Sequence, residues 1–418
     1  MLALYNGRTI RAMKLEDARQ EFPALEQQVF LDSACVSLAP QRTVKKLREF
    51  LDITAFCPSG SSTQHHIDMD TMRSAARPQI AKLINAAEDD VALVESTTHG
   101  LNLVANAIQL EPGDRVIISD LEFLEVALPW LQKRDKIRIA IDVLPNREGK
   151  LLVEDVETAI TRDTRIVAVS SVQWNNGFRC DLDALSRLCR DRGVFLIIDA
   201  IQQVGAIPLD VQKTPVDALA CGGHKWLLSP FGCGFLYLSK EFRAKVEPPL
   251  AGYLSVAEPE DGWGTYFGTP SISPVGDFEY VHSARRWENG GTSNYPGAIG
   301  LAESVGLINE IGIDNVGRHV LSLTDHLIAG LHEAKIRVVT PEDRRYRSSI
   351  VTFSLQSPAE NAALIEFLRE RKVLASLRYT SEVGGVRVGC HLFNNTADLD
   401  QLVEHTVAFM RRQGKAQA

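Results

Sequence analysis

Lys225 stands alone among glycines and apolar residues in GGHKWLLSPFG (222–232), and upstream the apolar run VFLIIDA (194–200) closes on Asp199. A charged amine has little solvation in such a setting. Desolvation favours the neutral amine, which is the form that attacks an aldehyde. A carboxylate at the end of a buried strand suits a protonated pyridine nitrogen. Together the two residues fit a pyridoxal 5′-phosphate site, with Lys225 forming the Schiff base and Asp199 holding the ring as an electron sink. An aspartate after a strand also caps helices. The following AIQQVG reads as a turn, which favours the pyridinium partner.

Other residues gather around this pair. Gln202 is placed to hydrogen-bond the ring hydroxyl oxygen. Thr97 and Thr98 open an apolar-periodic helix after VALVES, where free amides and two hydroxyls make a phosphate site or an ordinary cap. His224 reads as a contact to the cofactor or its phosphate, or as a packed core histidine. Phe123, after RVIISD, is an aromatic for stacking on the pyridine ring or a core phenylalanine. Arg286 and Arg387 are candidates for anion binding. Arg387 interrupts an apolar strand, which is costly unless a carboxylate meets it.

The elements that must position these residues alternate. Apolar strands near 91–96, 115–120, 137–144, 165–172, 194–200, 218–223 and 234–239 are separated by amphipathic helices near 98–109, 126–133, 153–161 and 182–192. That pattern predicts an α/β fold with a mainly parallel sheet covered on both faces, and ligands at the carboxyl ends of its strands. Residues 241–295, rich in Pro, Gly and aromatics, read as an irregular excursion over the site or a subunit boundary. A helical region from Gly297 to Ala334 leads to strands near 336–340, 349–355, 373–379 and 386–393, with helices at 360–371 and 399–412. The expected organisation is an N-terminal arm (1–28) on the small domain or a partner, a large cofactor-binding domain (29–295), and a small C-terminal α+β domain (296–418).

Composition excludes several classes. The 418 residues are 45% hydrophobic and 23% charged with a net charge of −8, and no basic stripe points to nucleic acid. No apolar run approaches the ~18 residues of a membrane span. The N-terminal stretch carries acids and lacks a long apolar core, so a cytoplasmic protein is expected. The seven cysteines are scattered without CxxC spacing, so neither a disulfide framework nor a metal site is expected.

The segments FLDSACVSLAP (30–40), ESTTHGLN (95–102), DLEFLEVALPW (120–130), DAIQQVGAIPLDV (199–211), GGHKWLLSPFGCGFLY (222–237), RWENGGTSNYPGAIGL (286–301) and VRVGCHLFNNTADLDQL (386–402) resemble the class V aminotransferase-fold enzymes. That fold-type I group holds cysteine desulfurases, selenocysteine lyases, kynureninases and isopenicillin N epimerase-like proteins. The resemblance implies that Lys225 is the Schiff-base lysine, Asp199 the pyridinium partner, Gln202 the ring-oxygen contact, and Thr97 with Thr98 and His224 the phosphate surround. It implies that Thr292 reaches the cofactor phosphate of the other subunit of a homodimer with shared sites, and that Arg387 holds the substrate α-carboxylate. It also marks departures. Phe123 stands where desulfurases have a histidine, Trp174 stands where they have an asparagine (with Asn175 or Asn176 as substitutes), and Gly222 or Cys221 replaces a serine. No cysteine lies between Lys372 and Arg387, where persulfide-forming relatives keep their thiol.

The expectation is a pyridoxal-phosphate enzyme acting at the α-carbon of a small amino-acid substrate, with a carbon–sulfur β-elimination lyase favoured over a transaminase or an epimerase. A catalytically silent scaffold on the same fold is the non-enzyme alternative.

Overall fold

The computed structural model describes residues 13–290 and 293–414, with the short backbone segments 4–5 and 8–9. Its centre is a seven-stranded sheet in the order 91–94, 234–238, 218–222, 195–199, 164–170, 115–119 and 140–144. The strands from 218–222 through 140–144 run parallel, and Gly234–Leu238 is antiparallel to both its neighbours. Val, Ile and Leu fill these strands on both faces, and most of their residues are buried. That is the composition a sheet needs when helices cover both sides.

The connecting helices lie close to their expected places: Thr97–Ala107, Leu124–Ile137, Val153–Ala159 and Leu182–Arg192. Local chemistry sets their ends. Ser96 accepts from the His99 amide at the start of one, and Asp181 from the Ala184 amide at the start of another, which stops at Gly193 in the left-handed region. The stretch 200–207 is a chain of turns, as AIQQVG suggests. Three further helices, Gln41–Phe56, Ser62–Ser74 and Ala76–Ile84, precede the sheet.

The 297–334 region is two helices, Tyr295–Ile311 and Ile313–Glu333, broken at Gly312. A four-stranded antiparallel sheet follows, in the order 337–338, 350–354, 383–389 and 376–380, with helices Pro358–Glu370 and Thr396–Arg412. The single strand expected at 373–379 is two pieces. Val373–Leu374 pairs in parallel with Val29–Phe30, and Ser376–Thr380 joins the four-stranded sheet. The N-terminal segment is held there by further contacts. Arg19 forks onto Asp398, and the ring of Phe22 lies 4.6 Å from that of Phe393. Residues 241–295 are mostly irregular, with one seven-residue helix, Gly262–Gly268. Among the described residues no helix is long and apolar enough to cross a membrane.

Candidate active site

The carboxyl ends of four parallel strands and one helix N-terminus converge on Lys225. Phe195–Asp199 delivers its last residue, Asp199, buried to 3% exposure. One oxygen of Asp199 accepts from the Ile201 amide at 2.9 Å, and no arginine or lysine forms an ion pair with it among the described residues. Burial pushes its carboxyl up to about 7, opposed by that amide and by the charge of Lys225. Burial also holds the Lys225 amine below the ordinary lysine value; Asp199 opposes the shift and Arg387 adds to it. The turn carrying Lys225 follows the strand Ala218–Gly222, one strand over from Asp199.

Phe123 caps the helix Leu124–Ile137 and places its ring 6.0 Å from the Lys225 ammonium. Trp174 meets that ring edge-on at 5.1 Å, and its indole Nε1 is a buried donor without a partner among the described residues. Asn176 has its amide tied to Gly149 O and the Phe178 amide, whereas Asn175 keeps a buried, unpartnered Oδ1. Gln202 accepts from Trp226 Nε1 at 2.9 Å, which fixes its oxygen and turns Nε2 to Ala34 O at 3.0 Å. The second N–H of that amide is its remaining donor.

At the helix N-terminus Thr97 is buried and Thr98 is exposed, so the two do different work. Thr97 Oγ1 accepts from the Gly222 amide at 2.9 Å. A side chain at Gly222 would meet Thr97 Oγ1 at 3.1 Å and His224 Nδ1 at 3.3 Å, so the glycine leaves this corner open. His224 stacks on Phe231 with centroids 5.1 Å apart, and burial beside Lys225 lowers its imidazole to about 4. It is therefore neutral at pH 7. Thr292 lies outside the described residues. Arg286 sits away from this cluster, paired with Glu247 and stacked on Tyr280.

Arg387, 2% exposed, comes from the strand Val383–Gly389 of the four-stranded sheet. It donates to Trp174 O at 2.9 Å and to Asp32 Oδ1 at 3.1 Å, while its Nε has no partner among the described residues. A carboxylate does meet this arginine, but from the opposite end of the chain. Asp32 in turn accepts from Ser376 Oγ at 2.8 Å. Glu122 is a further buried acid to which the sequence assigned no role. It accepts from the Ser170 amide and hydroxyl and from Gln173 Nε2, and burial raises it to about 7. An acid beside Phe123 was the available signal.

The donors and acceptors fit a phosphorylated pyridine aldehyde. There is a buried acid for a ring cation, a depressed amine, an aromatic beside it, open amides at a helix start, and orphaned donors on Trp174 and Arg387. A model of the aminotransferase class-V family matches residues 29–402. The chain belongs to that family. It is an enzyme whose cofactor is pyridoxal 5′-phosphate. It is 27% identical over 400 residues to a probable cysteine desulfurase of Pyrococcus abyssi, covering 92% of this chain and 95% of that one. It is 30% identical over 322 residues to a probable cysteine desulfurase of Methanothermobacter thermautotrophicus, covering 76% of each. The solved structure of the Escherichia coli cysteine desulfurase CsdA superposes with a TM-score of 0.81 at 25% identity, over 96% of this chain and 100% of that one.

Proposed function

We propose that this class-V enzyme cleaves the carbon–sulfur bond of a cysteine-type amino acid by β-elimination. The named relatives support sulfur chemistry. The observation that carries elimination is the hairpin 376–389. Its strands Ser376–Thr380 and Val383–Gly389 are joined through Ser381 and Glu382 alone, both with left-handed backbone (φ 45° and 64°). A two-residue turn of this kind is tight. It leaves no loop to carry a thiol, and no cysteine lies between Lys372 and Arg387.

Bound at this site, the cofactor supplies the electron sink that acidifies the α-proton of an attached amino acid. The chain supplies the rest. Arg387, with its free Nε, grips the α-carboxylate, and Asp32 keeps the guanidinium oriented. Lys225 is the base for the α-proton, because burial lowers its affinity for a proton of its own. Asp199 anchors the ring nitrogen, Phe123 backs the ring, and Gln202 Nε2, Thr97, Thr98 and His224 hold the ring oxygen and phosphate. The expected products are pyruvate, ammonia and a released thiol or persulfide. Stoichiometric alanine would refute elimination, and conversion of the cofactor to its amine form would indicate a transaminase.

We also place the enzyme as a cytoplasmic homodimer with shared sites. Exposed Leu51, Phe56, Phe267 and Val275 support a second copy, and seven free thiols suit a reducing compartment. Light scattering at micromolar concentration is expected to give twice the chain mass; a fully active monomer would refute shared sites.

A further inference from the structure

The 373–386 segment lacks a loop-borne thiol, but a thiol fixed in a hydrogen-bonded turn lies beside Arg378. Cys35 sits in the turn after Val29–Phe30. Its amide bonds to Asp32 O at 2.9 Å, and the turn is clamped between domains by Ser37 N to His224 O (2.8 Å) and Gly389 N to Leu31 O (2.7 Å). The half-buried sulfur accepts from Arg378 Nη2 at 3.4 Å. Lys225 and Arg387 both lie within electrostatic range of it.

Arg378 makes this contact unusual. It projects from the strand Ser376–Thr380, and its other bond is to the neighbouring carbonyl of Leu377. Among the described residues no carboxylate comes within ion-pair distance of it, whereas Arg387 on the adjacent strand has Asp32. Of these two guanidinium groups only Arg387 has an internal carboxylate among the described residues. A substrate α-carboxylate answers Arg387, whose buried Nε has no partner among the described residues. Arg378 is left to stabilise a second anion, and the atom it touches is sulfur. Arginine donors stabilise anionic sulfur as they do other anions.

The other cysteines do not share this setting. Burial raises the thiols of Cys180, Cys189, Cys221, Cys233 and Cys390 well above the ordinary value. Cys57 is exposed at the end of the helix Gln41–Phe56.

We propose that Cys35, held by Arg378, accepts the outer sulfur of a persulfide released in this site from a disulfide-bearing amino acid. The inference rests on the elimination reading above. It names the substrate class because capture of a simple thiol as a disulfide needs an oxidant, whereas capture from a persulfide needs none. The sulfur of Cys35 attacks the terminal sulfur of RS–SH and forms a new S–S bond. The old S–S bond breaks with its electron pair on RS, which takes the proton given up by Cys35. The balance is RS–SH and a thiol going to RSH and a protein persulfide.

The test is to turn over cystine with the holoenzyme, alkylate, digest and weigh the cysteine peptides. One extra sulfur on Cys35 is expected, with pyruvate in solution. Arg378→Gln should slow that loading by on the order of tenfold, the effect of one charge-assisted hydrogen bond. Cys35→Ser should carry no extra sulfur, and Cys57→Ser should load Cys35 as the unaltered protein does. A cysteine persulfide donor added directly should load Cys35 even if cystine is not turned over. That separates the two readings. Failure of the direct donor, or pyruvate with sulfur on no cysteine or only on Cys57, overturns the role of Cys35 and spares elimination. Absence of pyruvate with loading by the direct donor overturns elimination and spares the acceptor thiol. Loading from plain cysteine with alanine as product overturns both.

Discussion

Lys225→Ala abolishes turnover, lowering the rate by on the order of 10⁴-fold or more, the upper range of what a positioned proton-transfer group contributes. The fold survives, because the side chain ends in a turn at a ligand site and anchors no element of the core. The readouts are steady-state product formation and far-UV circular dichroism. Borohydride reduction of the unaltered holoenzyme should fix the cofactor covalently, and peptide mapping should find it on Lys225. An adduct on another lysine, or a variant retaining most of its rate, sinks the assignment. The motivating observation is the amine itself: depressed by burial, six ångströms from the Phe123 ring and coupled to Asp199.

Asp199→Asn is the second large effect. The asparagine cannot neutralise a ring cation. Breaking a buried ion pair costs roughly 3–5 kcal/mol, or about two to four decades in rate. Near-normal turnover would reduce the residue to a turn-forming aspartate bonded to the Ile201 amide. A pH experiment on the cofactor-free protein reads the same group independently. Its carboxyl is raised from 3.8 to about 7 in the folded state. The folded protein therefore keeps a proton that the unfolded chain has already lost. Stability falls as pH rises from the unfolded value to about 7, by up to about 1.4 kcal/mol for each unit, and stays reduced above. Glu122, raised to about 7 by the same burial, contributes a parallel loss. Asp199→Asn should thus flatten part of the decline in melting temperature between about pH 4 and 7. Bound cofactor should flatten it too, by supplying the missing cation. A melting profile identical in variant and unaltered protein would show that Asp199 is already ionised.

How much of this was legible in the sequence follows from how local each signal is. The large sheet was readable because each parallel strand is a short apolar run punctuated by turn residues, and Asp199 and Lys225 were readable as polar residues ending such runs. Their meeting needs only that neighbouring parallel strands end on one side. Arg387 could be flagged as needing a carboxylate, but Asp32 could not be named, because 355 positions separate them and nothing local pairs them. Cys35 was hidden for the same reason: its significance comes from Arg378, 343 positions away. The helices between Gln41 and Ile84 carry few buried residues in their first two members, so their apolar stripe is weak. The split at residue 375 was invisible because β-propensity runs through 373–379, and only tertiary pairing decides that Val373 and Leu374 leave for Val29 and Phe30.

That last pairing has a consequence for how the molecule is made. Val29 and Leu31 bond to Lys372 and Leu374 at 2.9 Å, and Gly389 bonds back to Leu31. The segment bearing Asp32 and Cys35 leaves the ribosome some 340 residues ahead of its partners. At typical elongation rates the interval is on the order of tens of seconds. The parallel strands, with Asp199 ending one and Lys225 in the turn after another, and the helix that Thr97 opens are complete in sequence well before then. Contacts of such long range are the slowest to form even in a finished chain. The corner holding Lys225 and Asp199 is therefore built first and the strands bearing Arg378 and Arg387 last. A chain halted before residue 373 would hold Lys225, Asp199, Phe123, Gln202 and Thr97, with neither Arg378 nor Arg387.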